Sequence, residues 1–199
     1  MATEPFISAI QHTTNPAQQQ NTSQEWLREQ LRNFSGTTDP RSLLRATPNQ
    51  KESRLVTKLS IGRMYLFYYD PKMKEELPYY DRFPLIFPFR MVEDGFYGIN
   101  MHYLPHVLRA RLMDGLYTLA NNDKNDDTTK LKLTYQLLNS SSRFKYVKPC
   151  VKHYLNNHVR SRFLWVPADQ WKTALFLPLE RFAKASATTV WQQSRRSVR

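Results

Sequence analysis

The sequence predicts an α+β fold: a small aromatic-rich antiparallel sheet with packed helices, preceded by an extended polar N-terminal arm. Three observations predict it. Met64-Tyr-Leu-Phe-Tyr-Tyr69 is a dense aromatic run of strand character, and a second apolar run and a turn follow it. Beyond residue 105 the apolar residues recur at three- and four-residue spacing, the period of a helix. Residues 11–24 are rich in Gln, Asn and Thr, and ordering so polar a segment gains too little burial to offset its entropy. The 199 residues, with 11 Tyr, 11 Phe and 4 Trp, suit one domain with an aromatic core. The expected division is an arm over 1–52, an α+β domain over 53–188 and a basic C-terminal tail over 189–199.

Within the arm, Thr22-Ser-Gln-Glu25 is a capping box that opens a short amphipathic helix. Trp26, Leu27, Leu31 and Phe34 lie along one side of it. That face either packs on its own domain or docks on a neighbouring subunit. Asp39-Pro40 supplies an N-cap and an N1 proline for a second short helix through Ser42-Leu-Leu-Arg45.

The strand over Met64–Tyr69 ends at Asp70-Pro71. An aromatic loop, Pro78-Tyr79-Tyr80-Asp81-Arg82, follows, and Tyr79 and Tyr80 are candidates for contact with a partner. Phe83–Met91 is a second strand. Pro84 and Pro88 interrupt it, so it is at an edge, broken or bulged. Glu93-Asp94-Gly95 is a turn, and Phe96–Tyr103 is the returning strand of a hairpin.

Val107, Leu108, Leu112, Leu116 and Leu119 mark a helix, and 121–127 is a polar loop. Asp127 or Thr128 caps the next helix, whose buried side is Leu131, Tyr135 and Leu138. Pro149 fits the first turn of a third helix through Cys150, Val151, Tyr154 and Leu155. Arg160–Val166 alternates as a strand, and Leu175–Pro178 reads as another short one. Pro178–Phe182 begins a last helical stretch, and Trp191–Arg199 is a basic tail.

Little of this sequence carries reaction chemistry. With five glycines and neither a Walker pattern nor GxGxxG, it has no phosphate-cradling loop. The single cysteine, Cys150, excludes an internal disulfide, suits a reducing compartment and reads as a small buried hydrophobe. His102 and His106 have the spacing of helical metal ligands, but Pro105 stands between them and no third ligand is evident. Glu75-Glu76 and Asp126-Asp127 belong to loops and Glu93-Asp94 to a turn. The expectation is a binding or assembly protein with no catalytic residue, no metal, no cofactor and no small-molecule substrate. No stretch approaches the ~20 apolar residues of a membrane helix, and the amino terminus lacks the pattern of a signal peptide. A chain made in a cytoplasm, with no membrane partner, is expected.

Charge is the strongest statement about a partner. The first 127 residues hold 15 basic and 15 acidic residues, which cancel. The last 72 hold 14 basic residues against Asp169 and Glu180 alone, so the whole +12 lies there. A one-sided field of this kind recruits a polyanion, most commonly nucleic acid. The cations alternate with aromatics, as in Arg143-Phe-Lys-Tyr146 and Arg160-Ser-Arg-Phe-Leu-Trp165. Candidate phosphate contacts are Arg143, Lys145, Lys148, Lys152, Arg160, Arg162, Lys184, Arg195, Arg196 and Arg199. Phe144, Phe163 and Trp165 are better explained as core by strand alternation. An acidic protein surface would attract the same cations.

Four segments together are distinctive: Gly62-Arg-Met-Tyr-Leu-Phe-Tyr-Tyr-Asp-Pro71, Leu77-Pro-Tyr-Tyr-Asp-Arg-Phe-Pro84, Asp94-Gly-Phe-Tyr-Gly-Ile-Asn100 and His102-Tyr-Leu-Pro105. With Arg143-Phe-Lys-Tyr…Lys148-Pro-Cys150 and Ser161-Arg162, they resemble the DNA end protector proteins of T-even-like and marine myoviruses. The resemblance runs from about Gly62 to Trp191 and leaves out the polar arm. It implies a late, minor virion protein that binds ends of packaged double-stranded DNA, shields them from exonuclease and helps heads become competent for tail joining. It implies partners among the neck, portal or baseplate proteins, and it brings no residue-level site. The alternative is a structural subunit of the neck or baseplate whose basic face meets protein. A DNA-cleaving enzyme would instead show metal-dependent activity.

Overall fold

Met64–Leu66, the first half of the run expected as a strand over 64–69, lies in the interior of a six-stranded sheet, and Tyr69 beyond it makes only an isolated bridge to Val159. The structure is a computed structural model that describes residues 40–44, 54–105, 109, 112, 115–116, 122, 124–143, 145, 147–176 and 179–196. Its strands are β1 (Leu55–Val56), β2 (Met64–Leu66), β3 (Tyr80–Asp81), β4 (Leu85–Val92), β5 (Gly95–Asn100), β6 (Val151–Leu155), β7 (Phe163–Val166) and β8 (Phe182–Ala183). Its helices are α1 (Pro40–Leu44), α2 (Asp127–Ser141), α3 (Trp171–Phe176) and α4 (Ala187–Arg196). Arg109, Leu112, Gly115 and Leu116 are also helical, as the spacing from Val107 to Leu119 predicts. The expected helix at 22–34 lies outside the described residues.

The main sheet has the order β1-β7-β2-β4-β5-β6, with every pair antiparallel, and β3 and β8 form a separate ribbon. The sequence offers an edge, a break or a bulge for the proline-bearing strand. β4 is an interior strand, bulged between Pro88 and Arg90. A bulge accommodates the missing donor there, while the Pro88 carbonyl still accepts from Gly62 N at 3.1 Å. The hairpin turn at Glu93-Asp94 leads into β5 at Gly95, where a Cβ would stand 1.9 Å from the Tyr154 carbonyl oxygen. Only glycine allows β6 to lie that close.

Alternation through β2 and the residues after it sends Tyr65, Phe67 and Tyr69 to one face and Met64, Leu66 and Tyr68 to the other. On the aromatic face the Phe67 ring meets Tyr69, Phe96, Tyr154 and Phe163 edge-on, at centroid distances of 6.2, 5.9, 5.3 and 5.1 Å. Edge-to-face pairs of this kind add about 0.5–1.5 kcal/mol each beyond area burial. On the other face Met64, Leu66, Leu85, Phe87 and Ile99 pack with Leu116, Leu138, Trp171, Leu175 and Val190 from the helical segments.

Several expected elements differ. The segment after Pro149 is strand β6, not a helix: Lys148–Cys150 is a single 3-10 turn, and Val151–Leu155 then pairs along β5. Leu175 belongs to α3 rather than to a strand, and 179–181 is not helical but leads into β8. The residues read as a basic tail lie in α4 as far as Arg196, with Val190 buried and the Trp191 indole donating to the His102 carbonyl at 2.8 Å. The cap of α2 is Asp126, whose carboxylate accepts from Thr129 N at 2.8 Å. Its buried stripe is Thr134, Leu138 and Ser141, while Leu131 and Tyr135 are 37% and 38% exposed. Leu131 and Thr134 both border the turn at Gly62, where a Cβ would lie 3.1 Å from Leu131 Cδ1 and 3.5 Å from Thr134 Cγ2. No helix among the described residues is long and apolar enough to cross a membrane.

Candidate nucleic-acid interface

Two polar constellations stand out, and only one is open to a ligand. The first is sealed. Asp81, on β3, takes hydrogen bonds from Phe83 N at 3.1 Å and Asn100 Nδ2 at 3.2 Å, and His102 Nδ1 lies 2.6 Å from its Oδ2. An ionised carboxylate only accepts, so Nδ1 carries the proton in that contact. Burial pushes the Asp81 carboxyl up, but His102 and these hydrogen bonds outweigh it and hold its pKa below the usual value. Tyr154 Oη accepts from the same Asn100 amide at 3.0 Å.

Next to it, the buried Arg109 guanidinium donates to the carbonyls of Leu104, Leu175 and His102 at 2.7, 2.9 and 3.0 Å. Glu180 Oε1 is 3.8 Å away, and the Trp191 ring lies under the guanidinium at 5.5 Å. These bonds join the 3-10 turn after β5 to α3 and α4. The nearby Cys150 thiol is buried, and its pKa is pushed up to about 12, so it is protonated at neutral pH. With Asp81, His102 and Arg109 enclosed, this arrangement can fix the fold but offers no surface to a substrate. Among the described residues no three His, Cys, Asp or Glu side chains gather to hold a metal.

The second constellation is an open groove of 790 Å³, formed by Thr57, Lys58 and Leu59 after β1, Met91, Val92, Gly95 and Phe96 at the β4–β5 turn, and Asn156 with Val159–Phe163 ahead of β7. Its floor continues into the aromatic core, because Phe96 and Phe163 belong to both. Lys58, Arg160 and Arg162 line it, and no Asp or Glu does. The loop carrying the two arginines is pinned to the chain beyond β2. Arg160 N donates to the Tyr68 carbonyl at 2.9 Å, and Ser161 Oγ accepts from Tyr68 N at 2.9 Å while donating to the Arg162 carbonyl at 2.8 Å. Both arginines are exposed. Glu93 and Asp94 occupy the neighbouring hairpin turn, where Asp94 Oδ1 lies 3.2 Å from His153 Nε2. Such a surface, positive at its rim and apolar at its floor, can hold a phosphate-bearing ligand with an apolar or aromatic part.

The other sequence-predicted cations are scattered. Arg143, Lys145, Lys148 and Arg196 are exposed, after α2, in the turn before β6 and near the end of α4. Lys152 is turned inward: its ammonium sits 4.1 Å over the Tyr103 ring, and burial lowers its pKa. Lys184 has φ 67, and its ammonium donates to the carbonyls of Lys74, Glu75 and Leu77 at 2.7, 2.8 and 3.3 Å. The Arg195 side chain and Arg199 lie outside the described residues. So do Trp26, Leu27, Leu31 and Phe34. Tyr79 is half-buried against Tyr103 at 6.0 Å, and Tyr80 pairs with Ala183 in the β3–β8 ribbon. Lys58 is the cation that charge counting missed, because it lies in the electroneutral part of the chain. Pairing of Val56 with Phe163 brings it to the arginines.

A search against curated proteins and a search against solved structures each returned no match. A family model described as Phage T4 terminal DNA protecting protein matches residues 6–194. That span takes in the polar arm, which the sequence resemblance leaves out, as well as the whole sheet, the groove and α4 as far as Ser194. By that match the chain belongs to the phage T4 terminal DNA protecting protein family.

Proposed function

We propose that this chain is a non-enzymatic virion protein that binds the ends of packaged linear double-stranded DNA, protects them from exonuclease and assists head completion and tail joining. The family description speaks of protecting terminal DNA. The observation that carries the reading to a place on the molecule is the groove, where Lys58, Arg160 and Arg162 converge on a lining free of carboxylates. Phosphate contacts of this kind hold a duplex without reading its sequence, which suits genome ends of any composition. An exonuclease must reach the last phosphodiester, and a protein seated over it excludes the enzyme without chemistry of its own.

Arg143, Lys145, Lys148, Arg195, Arg196 and Arg199 would extend the phosphate track. Lys152 and Lys184 contribute first to structure, since their ammonium groups already have protein partners. The protein would be made in the host cytoplasm and reside in the virion, beside neck, portal or baseplate proteins. One observation favours the second reading, a structural subunit of the neck or baseplate: Leu131 and Tyr135 expose apolar surface one turn apart on α2, where a neighbouring protein could cover them. An exonuclease challenge separates the two. Stoichiometric protein should leave linear duplex intact, and unimpeded digestion would turn the assignment to the structural subunit.

A further inference from the structure

Phosphates are alike along a whole duplex, so cations alone cannot tell an end from an interior. End-selective binding requires a feature that only ends possess. Two exist: the flat face of the last base pair, and a terminal nucleotide that has come unpaired. A flat face calls for an exposed ring of comparable size, and among the described residues the groove offers none. Its rings, Phe96 and Phe163, are 1% and 8% exposed, too little for either to stack on a base pair. What the groove does offer is concavity. Its 790 Å³ falls within the roughly 300–1,000 Å³ of sites that bury most of a small organic ligand, which is enough for a nucleotide and far too little for a duplex.

We infer that the groove receives an unpaired nucleotide at the end of a DNA strand. The inference rests on the reading that this chain binds DNA ends, and it names what the groove takes there. The base lies on the apolar floor against Met91, an unbranched and adaptable side chain that is 46% exposed. The exposed Thr57 and Asn156 can meet its polar edge. Lys58, Arg160 and Arg162 hold the phosphates that flank it, and no carboxylate in the lining opposes them. Unpairing is least costly where a base is already mismatched, damaged or single-stranded, so a strand end enters far more readily than an internal nucleotide. The groove thereby makes an otherwise indifferent cationic surface selective for ends, and it does so without reading sequence.

The test uses the full chain and hairpin-capped duplexes with one open end, at fixed salt. The open end is blunt, or carries one or two unpaired nucleotides at its 3′ or 5′ strand; a duplex closed at both ends is the competitor. A tail should tighten binding by about tenfold over the blunt end, the scale of burying about 55 Å² of apolar surface. Met91→Glu sets a carboxylate on the proposed path of the base, so the ratio of tailed to blunt-end affinity should fall to about one. Equal affinity for blunt and tailed ends of both polarities would overturn the inference while leaving end binding intact. A tail preference that survives Met91→Glu would overturn its placement in this groove. Equal competition by the closed duplex would overturn the end-binding reading as well.

Discussion

Replacing Arg160 and Arg162 together by glutamine should change how DNA binding responds to salt, by an amount that follows from the structure. Both side chains are exposed and line a groove without carboxylates, so each is placed to displace one counterion from a phosphate. Each contact contributes about 0.9 to the slope of log K against log salt, so losing two lowers it by about 1.8. Between roughly 50 and 200 mM salt the parent should therefore lose about 12-fold more affinity than the variant does. Fluorescence anisotropy of a short linear duplex over that range measures both slopes. Exposed positions of this kind cost about 0.5 kcal/mol or less in stability, so melting temperatures should nearly coincide. Lys184→Gln is the contrasting case: its ammonium holds three carbonyls, so the slope should persist while the turn around Lys74–Leu77 loosens. An unchanged slope in a folded Arg160/Arg162 variant would refute the assignment of these arginines to phosphates.

Three further outcomes test the framework that positions the groove. Phe67→Ala removes the ring that meets four others and should cost about 3–5 kcal/mol in urea unfolding. Asp81 has a folded pKa below its unfolded value, so its stabilisation is present above the unfolded pKa and is lost as pH falls through the folded one. The stability gap between parent and Asp81→Asn, measured by denaturant at near-neutral and acidic pH, should therefore narrow on the acid side; a gap constant with pH would contradict it. The Cys150 thiol, buried with its pKa pushed up to about 12, should react with a thiol reagent at neutral pH only after denaturant unfolds the protein.

What the sequence revealed depended on whether a signal was local. The β4–β5 hairpin was legible because an apolar run, a turn and a returning run follow one another; the two prolines left an edge, a break or a bulge open, and the structure has the bulge, after Pro88. β6 was misread because Cys150, Val151, Tyr154 and Leu155 satisfy a helical spacing while five residues are too few to exclude a strand. The stripe on α2 was misplaced because helical spacing allows Leu131-Tyr135-Leu138 as well as Thr134-Leu138-Ser141, and tertiary packing on the sheet, which no local spacing reveals, makes the choice. Charge counting singled out Arg160 and Arg162, which line the groove. It could not find Lys58, whose place depends on β1 pairing with β7, nor separate Lys152 and Lys184, whose partners are a distant ring and distant carbonyls.

Competition between linear and covalently closed duplexes of one sequence, across a salt series, tests the central claim most directly. An end-binding protein should prefer the linear form at every salt concentration, with affinity for both falling as salt rises. Equal affinity for the two forms, or no binding at low salt, would contradict it and leave the cations of the carboxy-terminal third facing protein.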